Sequence, residues 1–215
     1  MLGSLLPPSY PTAINVDLCG RQDNRRPACV RVVFQCDKAI RKENQMILVV
    51  STSLNPESCS RVLARHALDQ LKTTGQQADW LDLQDLELPF CNASSCYNHP
   101  NVGKVAKQIA DAKCVLMACP IYNFDVGAAA KNLVELTGRN SWSEKVVGFL
   151  LSAGGLGSYM SVMPFANSLM LDFRCLIIPR FVYTTSEGVS GENLVGDGLA
   201  ERIDELNQRA IQLIR

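Results

Sequence analysis

A surplus of charge of either sign is absent from this sequence. Lys plus Arg and Asp plus Glu each total 21 over 215 residues, so the formal net charge is zero. That balance excludes the strongly basic footprint of a nucleic-acid-binding surface. Long apolar runs are missing as well: none approaches the roughly 18 to 20 residues needed to cross a bilayer, and no membrane association is expected. Met1 to Pro8 has neither the basic start nor the apolar stretch of a secretory signal. Three chemical signatures are also lacking. There is no Gly-x-Gly-x-x-Gly turn, no phosphate-cradling loop with a Walker lysine and no Gly-x-Ser-x-Gly nucleophile elbow. Histidine is scarce, with only His66 and His99.

Cysteine is plentiful, at nine residues, but it does not read as a disulfide framework. The total is odd, and Cys59, Cys114, Cys119 and Cys175 fall in apolar or helical stretches, where a free thiol behaves as a small hydrophobe. A reducing, cytoplasmic setting is expected. Cys19, Cys29 and Cys36 are too widely spaced for a C-x-x-C ligand pair. Cys91 and Cys96 flank Asn-Ala-Ser-Ser in a polar loop; they are either a redox pair or ordinary loop residues, and two thiolates fall short of the four of an iron–sulfur site. No metal site is expected.

Residues 1–45 differ from the remainder. They hold Pro7, Pro8, Pro11 and Pro27 with seven basic and four acidic residues, a net charge of +3 against −3 for the rest. This segment reads as a flexible or loosely docked extension, with Val30 to Phe34 its one strand-like stretch; alternatively, translation begins at Met46. From Met46 the pattern alternates. Strands are predicted at Met46–Val50, Ala78–Leu83, Cys114–Cys119, Lys145–Ser152 and Cys175–Ile178. Helices are predicted at Val62–Gly75, Val102–Ala112, Gly127–Thr137, Tyr159–Leu171 and Leu199–Ile214. Continuous apolar strands mark a sheet buried on both faces. Five strand–helix alternations imply one α/β domain over 46–215, a doubly wound five-stranded parallel sheet with helices on both faces. In such sheets ligands bind beyond the carboxyl ends of the strands.

Three loops should therefore carry the function: Ser51-Thr-Ser-Leu-Asn-Pro-Glu-Ser-Cys-Ser-Arg61, Pro120-Ile-Tyr-Asn-Phe-Asp125 and Ser152-Ala-Gly-Gly-Leu-Gly157. The first is a hydroxyl-rich turn opening a helix, with Asn55 as expected cap and Pro56 at the first helical position; opening amides and hydroxyls make an anion site without a metal. In the second, Pro120 is expected to stop the strand. In the third, glycines let the backbone approach a ligand where a Cβ would not fit. Taken singly, these are equally a capped helix start, a packed Tyr-Phe turn and a glycine turn.

Taken in order, the three loops resemble the NADPH-dependent FMN reductase family of flavodoxin-like proteins, whose patterns are Gly-Ser-Leu-Arg-x-Gly-Ser-x-Asn-Arg, Pro-Glu-Tyr-Asn-Gly and Ser-x-Ser-Gly-Gly. The resemblance covers residues 46 to about 214. It implies a flavodoxin-like fold and FMN held by Ser51, Ser53, Asn55, Ser58 and Ser60 at its phosphate. Pro120, Ile121, Tyr122, Asn123 and Phe124 would lie along the ring, and Ser152, Ala153, Gly154 and Gly155 at its pyrimidine edge. This chain departs from the patterns at Thr52, Asn55, Glu57, Ile121 and Phe124. The implied activity passes hydride or electrons from NADPH or NADH to a small acceptor such as a quinone, azo compound, metal oxyanion or free flavin. A homodimer or homotetramer is implied, and no acid–base residue is required. Two rival readings are a flavodoxin-type electron carrier and a relative that has lost flavin.

Overall fold

The computed structural model describes residues 45–214; the extension expected over residues 1–45, with its strand at Val30 to Phe34, lies outside these but for Gln45. The apolar run after Met46 becomes β1 (Ile47–Ser51), the most enclosed strand of the sheet, with no exposure from Ile47 to Val50. Around it lie β2 (Ala78–Asp82), β3 (Cys114–Tyr122) and β5 (Val146–Ala153), all parallel, in the order β2-β1-β3-β5. The next position is filled by two short parallel pieces, β6 (Leu176–Ile177) and β7 (Val182–Thr185), both paired with β5. This is the flavodoxin-like strand order.

Successive residues of each strand point to opposite faces, and the core divides accordingly. Ile47, Val49, Leu116, Ala118 and Leu150 pack under α1 (Cys59–Thr73) and α5 (Leu199–Leu213). Leu48, Val50, Val115, Met117, Phe149 and Leu151 pack under α2 (Pro100–Asp111), α3 (Ala128–Trp142) and α4 (Met163–Phe173). Both faces are covered, as the continuous apolar strands predict.

Four local expectations are corrected. β3 does not stop at Cys119 but runs through Pro120 to Tyr122 and turns back into β4 (Asp125–Val126). Proline is tolerated because β1 ends level with Ala118. The Pro120 carbonyl accepts from the Gly127 N–H, while the Gly127 carbonyl takes its proton from Ala130 in α3 rather than from position 120. The fifth strand does not end at Ile178. Pro179 lacks a donor and Arg180 is left-handed at φ 67°, so the chain breaks and re-enters as β7. α1 begins at Cys59, capped by Ser58 rather than Asn55. Residues 156–162, of which 159–162 were expected as the start of α4, form a tighter 3₁₀ turn before Met163. A small hairpin of β8 (Val189–Ser190) and β9 (Asn193–Leu194) precedes α5.

Candidate functional site

All three loops emerge at the carboxyl edge of the sheet. From the last residue of β1 the chain carries five hydroxyl residues, Ser51, Thr52, Ser53, Ser58 and Ser60, each at most 8% exposed. Thr52 is anchored to β3: its hydroxyl and its N–H both donate to the Ala118 carbonyl, at 2.9 and 3.0 Å. Ser53 accepts from the Asn55 N–H at 3.3 Å, and Asn55 Oδ1 accepts from the Glu57 N–H at 3.1 Å. Asn55 thus spends its side chain within the turn, which is why it does not cap α1. Ser58 Oγ caps it by accepting from the Arg61 N–H at 3.3 Å, and lies 3.0 Å from Ser60 Oγ. Ser51 Oγ is buried without a partner.

Arg61, at the end of this loop, was not singled out from the sequence, yet it sets the loop's shape. Its guanidinium donates to Asp82 Oδ2 at 2.6 Å and Oδ1 at 3.3 Å, and to the carbonyls of Ser53, Asn55 and Pro56 at 2.8, 2.6 and 3.1 Å. With side chains 13% and 3% exposed, the Arg61–Asp82 pair is largely withdrawn from water. A planar fork that satisfies five acceptors at once is a task lysine could not perform. Its charge is committed to Asp82, so any anion at this turn is met by hydroxyls and by the open N–H groups at the start of α1.

The second loop is a two-residue hairpin pairing Tyr122 with Asp125, and Asn123 and Phe124 both have positive φ, 53° and 61°. That is the type I′ turn, favoured because its twist matches the strands it joins. Pro120 and Ile121 are buried, and the Ile121 side chain packs into the core. Tyr122 and Phe124 are 55% and 71% exposed. Phe90, Cys91, Tyr122, Asn123 and Pro164 line a cleft of about 780 Å³ on this side.

In the third loop Ser152 is buried at the end of β5, and Gly154 and Gly155 are exposed. A Cβ built on either glycine would meet nothing within 4 Å, and neither has positive φ. The fold itself does not demand glycine here. The Tyr183 hydroxyl, from β7, donates to the Gly155 carbonyl, and its ring meets Tyr159 edge-on at 5.6 Å. Tyr183 was likewise missed, since β7 was not foreseen. Large apolar side chains crowd this edge: Leu54, Phe90, Tyr122, Phe124, Leu156 and Met160 stand exposed on the loops after β1, β2, β3 and β5. Exposed apolar groups gathered at one place signal a binding surface.

Fold and loops together define a flavodoxin-like α/β protein with a ligand edge at the carboxyl ends of its strands. The sequence pattern of the NADPH-dependent FMN reductases matches residues 46–189, and the chain belongs to that family. It is an oxidoreductase that uses FMN and NAD(P)H. It is 25% identical over 174 residues to an NAD(P)H-dependent FAD/FMN reductase of Geobacillus thermodenitrificans, covering 79% of this chain and 92% of the relative. It is 28% identical over 170 residues to an NADPH:quinone oxidoreductase of Arabidopsis thaliana, covering 74% and 87%. Among solved structures, an NADH:FMN oxidoreductase in apo form superposes with a TM-score of 0.67 at 14% identity, over 80% of this chain and 90% of that one. Among the described residues no helix is long and apolar enough to cross a membrane, and no three potential metal ligands cluster.

Proposed function

We propose that the three loops hold FMN along the carboxyl edge of the sheet and that the enzyme passes hydride from NAD(P)H to a small planar acceptor, a quinone in the first instance. The observation that carries the assignment is the Gly154–Gly155 backbone: two glycines that nothing in the protein requires, facing open space beside the exposed Tyr122–Phe124 hairpin. A cradle left clear of side chains suits a flat ring, and the buried, unpartnered Ser51 hydroxyl supplies a donor at the phosphate end. When bound, FMN supplies the chemistry, taking hydride from the nicotinamide and giving one or two electrons to an acceptor.

The protein binds and orients. Ser53, Ser58 and Ser60, with the first amides of α1, meet the phosphate. Amides at Ala153, Gly154 and Gly155 stabilise negative charge at the pyrimidine edge. Tyr122 and Phe124 bound the face on which the nicotinamide stacks. The exposed apolar rim fits a quinone better than a metal oxyanion, and a quinone is the acceptor in the name of the Arabidopsis relative. We assign the FMN-binding unit to residues 46–215, with 1–45 outside it, and place the enzyme in the cytoplasm as a homodimer or homotetramer.

Titration of the purified protein with FMN tests the reading: flavin fluorescence should quench with micromolar or tighter affinity. Anaerobic oxidation of NADPH and NADH should then run fastest with a quinone among quinones, azo dyes, metal oxyanions and free flavin. Absence of any quenching would remove the flavin site, and a preference for oxyanion would remove the quinone.

A further inference from the structure

Cys91 and Cys96 lie between β2 and α2, and the reading above gives neither a task. Their surroundings set them apart from three of the other cysteines among the described residues. Burial pushes the Cys114 thiol far above its ordinary range, Cys119 up to about 12 and Cys175 up to about 11. None of those three offers a thiolate at neutral pH, and the thiolate is the reactive form. Desolvation acts on Cys96 too. There, hydrogen bonds from the backbone at Asn92, Ser94 and Ala93 and from the Cys91 side chain outweigh it, so the thiol lies below its ordinary range.

The turn between them is organised around one sulfur. The Asn92 N–H donates to Cys96 Sγ at 3.4 Å, and Asn92 Oδ1 accepts from the N–H groups of Ser94 and Cys96, each at 3.1 Å. Ala93 is left-handed at φ 54°, the alternation that gathers successive amides into an anion-binding concavity. Cys91 is fixed from the opposite side. Its N–H donates to Asn132 Oδ1 on α3 at 2.8 Å, and Asn132 Nδ2 donates to the Pro89 carbonyl at 3.0 Å. The Tyr97 hydroxyl lies 3.7 Å from Cys91 Sγ. That contact holds Tyr97 above its ordinary range, so it stays protonated beside the sulfur. Cys96 is only 4% exposed, but it borders a shallow surface hollow lined also by Asn92, Ser95 and His99.

We propose that Cys91 and Cys96 form a second two-electron centre, a dithiol that closes to a disulfide on reaction with a hydroperoxide. The Cys96 thiolate attacks a peroxide oxygen; the O–O bond breaks, a sulfenic acid forms and hydroxide departs as water. The Cys91 sulfur then attacks Cys96. The S–S bond forms as S–O breaks, and hydroxide leaves with the Cys91 proton. Two thiols lose two electrons and two protons, and hydrogen peroxide becomes two waters. A small dithiol reverses the change. The proposal is independent of FMN, and its test needs no nucleotide.

Full-length protein is reduced with dithiothreitol, desalted, exposed to stoichiometric hydrogen peroxide, blocked with N-ethylmaleimide and mapped by mass spectrometry. The peptide holding Cys91 and Cys96 is expected to lose two hydrogens and take no maleimide, while Cys114, Cys119 and Cys175 remain thiols; dithiothreitol restores it. In Cys91→Ser, dimedone traps a sulfenic acid at Cys96. Cys96→Ser, shown folded by circular dichroism, reacts at Cys91 at least about tenfold more slowly. Free thiols at both positions after exposure, earlier oxidation of another cysteine, or separate oxidation of the two without an S–S bond would each overturn the proposal.

Discussion

The first and third loops meet the same edge of the sheet but are held by opposite means. The first is closed on itself: Arg61 grips Asp82 and three loop carbonyls, Ser58 caps the helix and Thr52 is tied to β3. The third is held through the Tyr183 hydroxyl and otherwise left open at two glycines. The comparison separates two kinds of order. On the proposed assignment, a phosphate end preorganised by the protein would cost little at binding, whereas the ring end would leave its shape to be completed by what it binds. Glycine within β5 sharpens the contrast. A Cβ at Gly148 would meet Leu116, Leu206 and Ile178 side chains at 2.8, 3.0 and 3.3 Å, so the fold needs that glycine, while Gly154 six residues on meets nothing.

Removing the clamp should have the largest effect. Arg61→Ala leaves Asp82, 3% exposed, with a buried and uncompensated charge. Breaking such a pair costs about 3–5 kcal/mol, a fall in Tm of roughly 10 °C for a domain of this size. Thermal melting checks it; a fall under about 3 °C would mean that the first loop is not organised from Arg61.

Gly154→Val comes next and should act on the ligand alone. Valine meets no protein atom, so the apo protein should melt as wild type does, while FMN affinity falls on the order of a hundredfold, about 2.7 kcal/mol. Gly148→Val is the control: overpacking the core costs about 1–3 kcal/mol of stability whatever is bound. A folded Gly154→Val protein with unchanged FMN affinity would place the ring elsewhere.

Tyr183→Phe should be milder. Gly155 is an exposed residue, so its freed carbonyl should rehydrate and the loss is that of one hydrogen bond, about 1 kcal/mol, read as a roughly fivefold weaker FMN affinity. Isothermal titration of the two proteins measures it. Equal affinities would show that the third loop keeps its place without β7.

How far this was legible in the sequence follows from which forces are local. The buried strands announce themselves, because Ile47 to Val50 and Cys114 to Cys119 must be apolar on both faces. The first loop's hydroxyls could be read as a group because all lie within ten residues of one strand end. Arg61 could not be read as a clamp, because its partner Asp82 lies on another strand and ion pairing leaves no period in the sequence. Tyr183 was hidden for a related reason: Pro179 reads as the end of a strand, and only tertiary pairing with β5 restarts it. That the Ile121 side chain packs into the core, with its backbone paired to Val126, could likewise not be read from its motif position.

The second loop lies between the other two in character, preorganised but under strain, and the smallest predicted effect tests it. In a type I′ turn both central residues take positive φ, and Asn followed by Gly is the pair that does so at least cost. Asn123 satisfies the first place, but Phe124 holds φ 61° at the second with a bulky side chain, a strain of about 1–3 kcal/mol. The ring is 71% exposed, so packing recovers little of it. Phe124→Gly relieves the strain but gives the unfolded chain more freedom, worth roughly 0.5–1 kcal/mol against it. The net expectation is a gain of about 1 kcal/mol, a rise in Tm of roughly 2–4 °C. Such strain persists where a side chain is needed for function. If Phe124 bounds the nicotinamide face, the stabilised variant should show a severalfold higher KM for NAD(P)H with kcat little changed. A higher Tm with an unaltered KM would leave the strain without a task at this site, and a lower Tm would show that the ring packs against the protein after all.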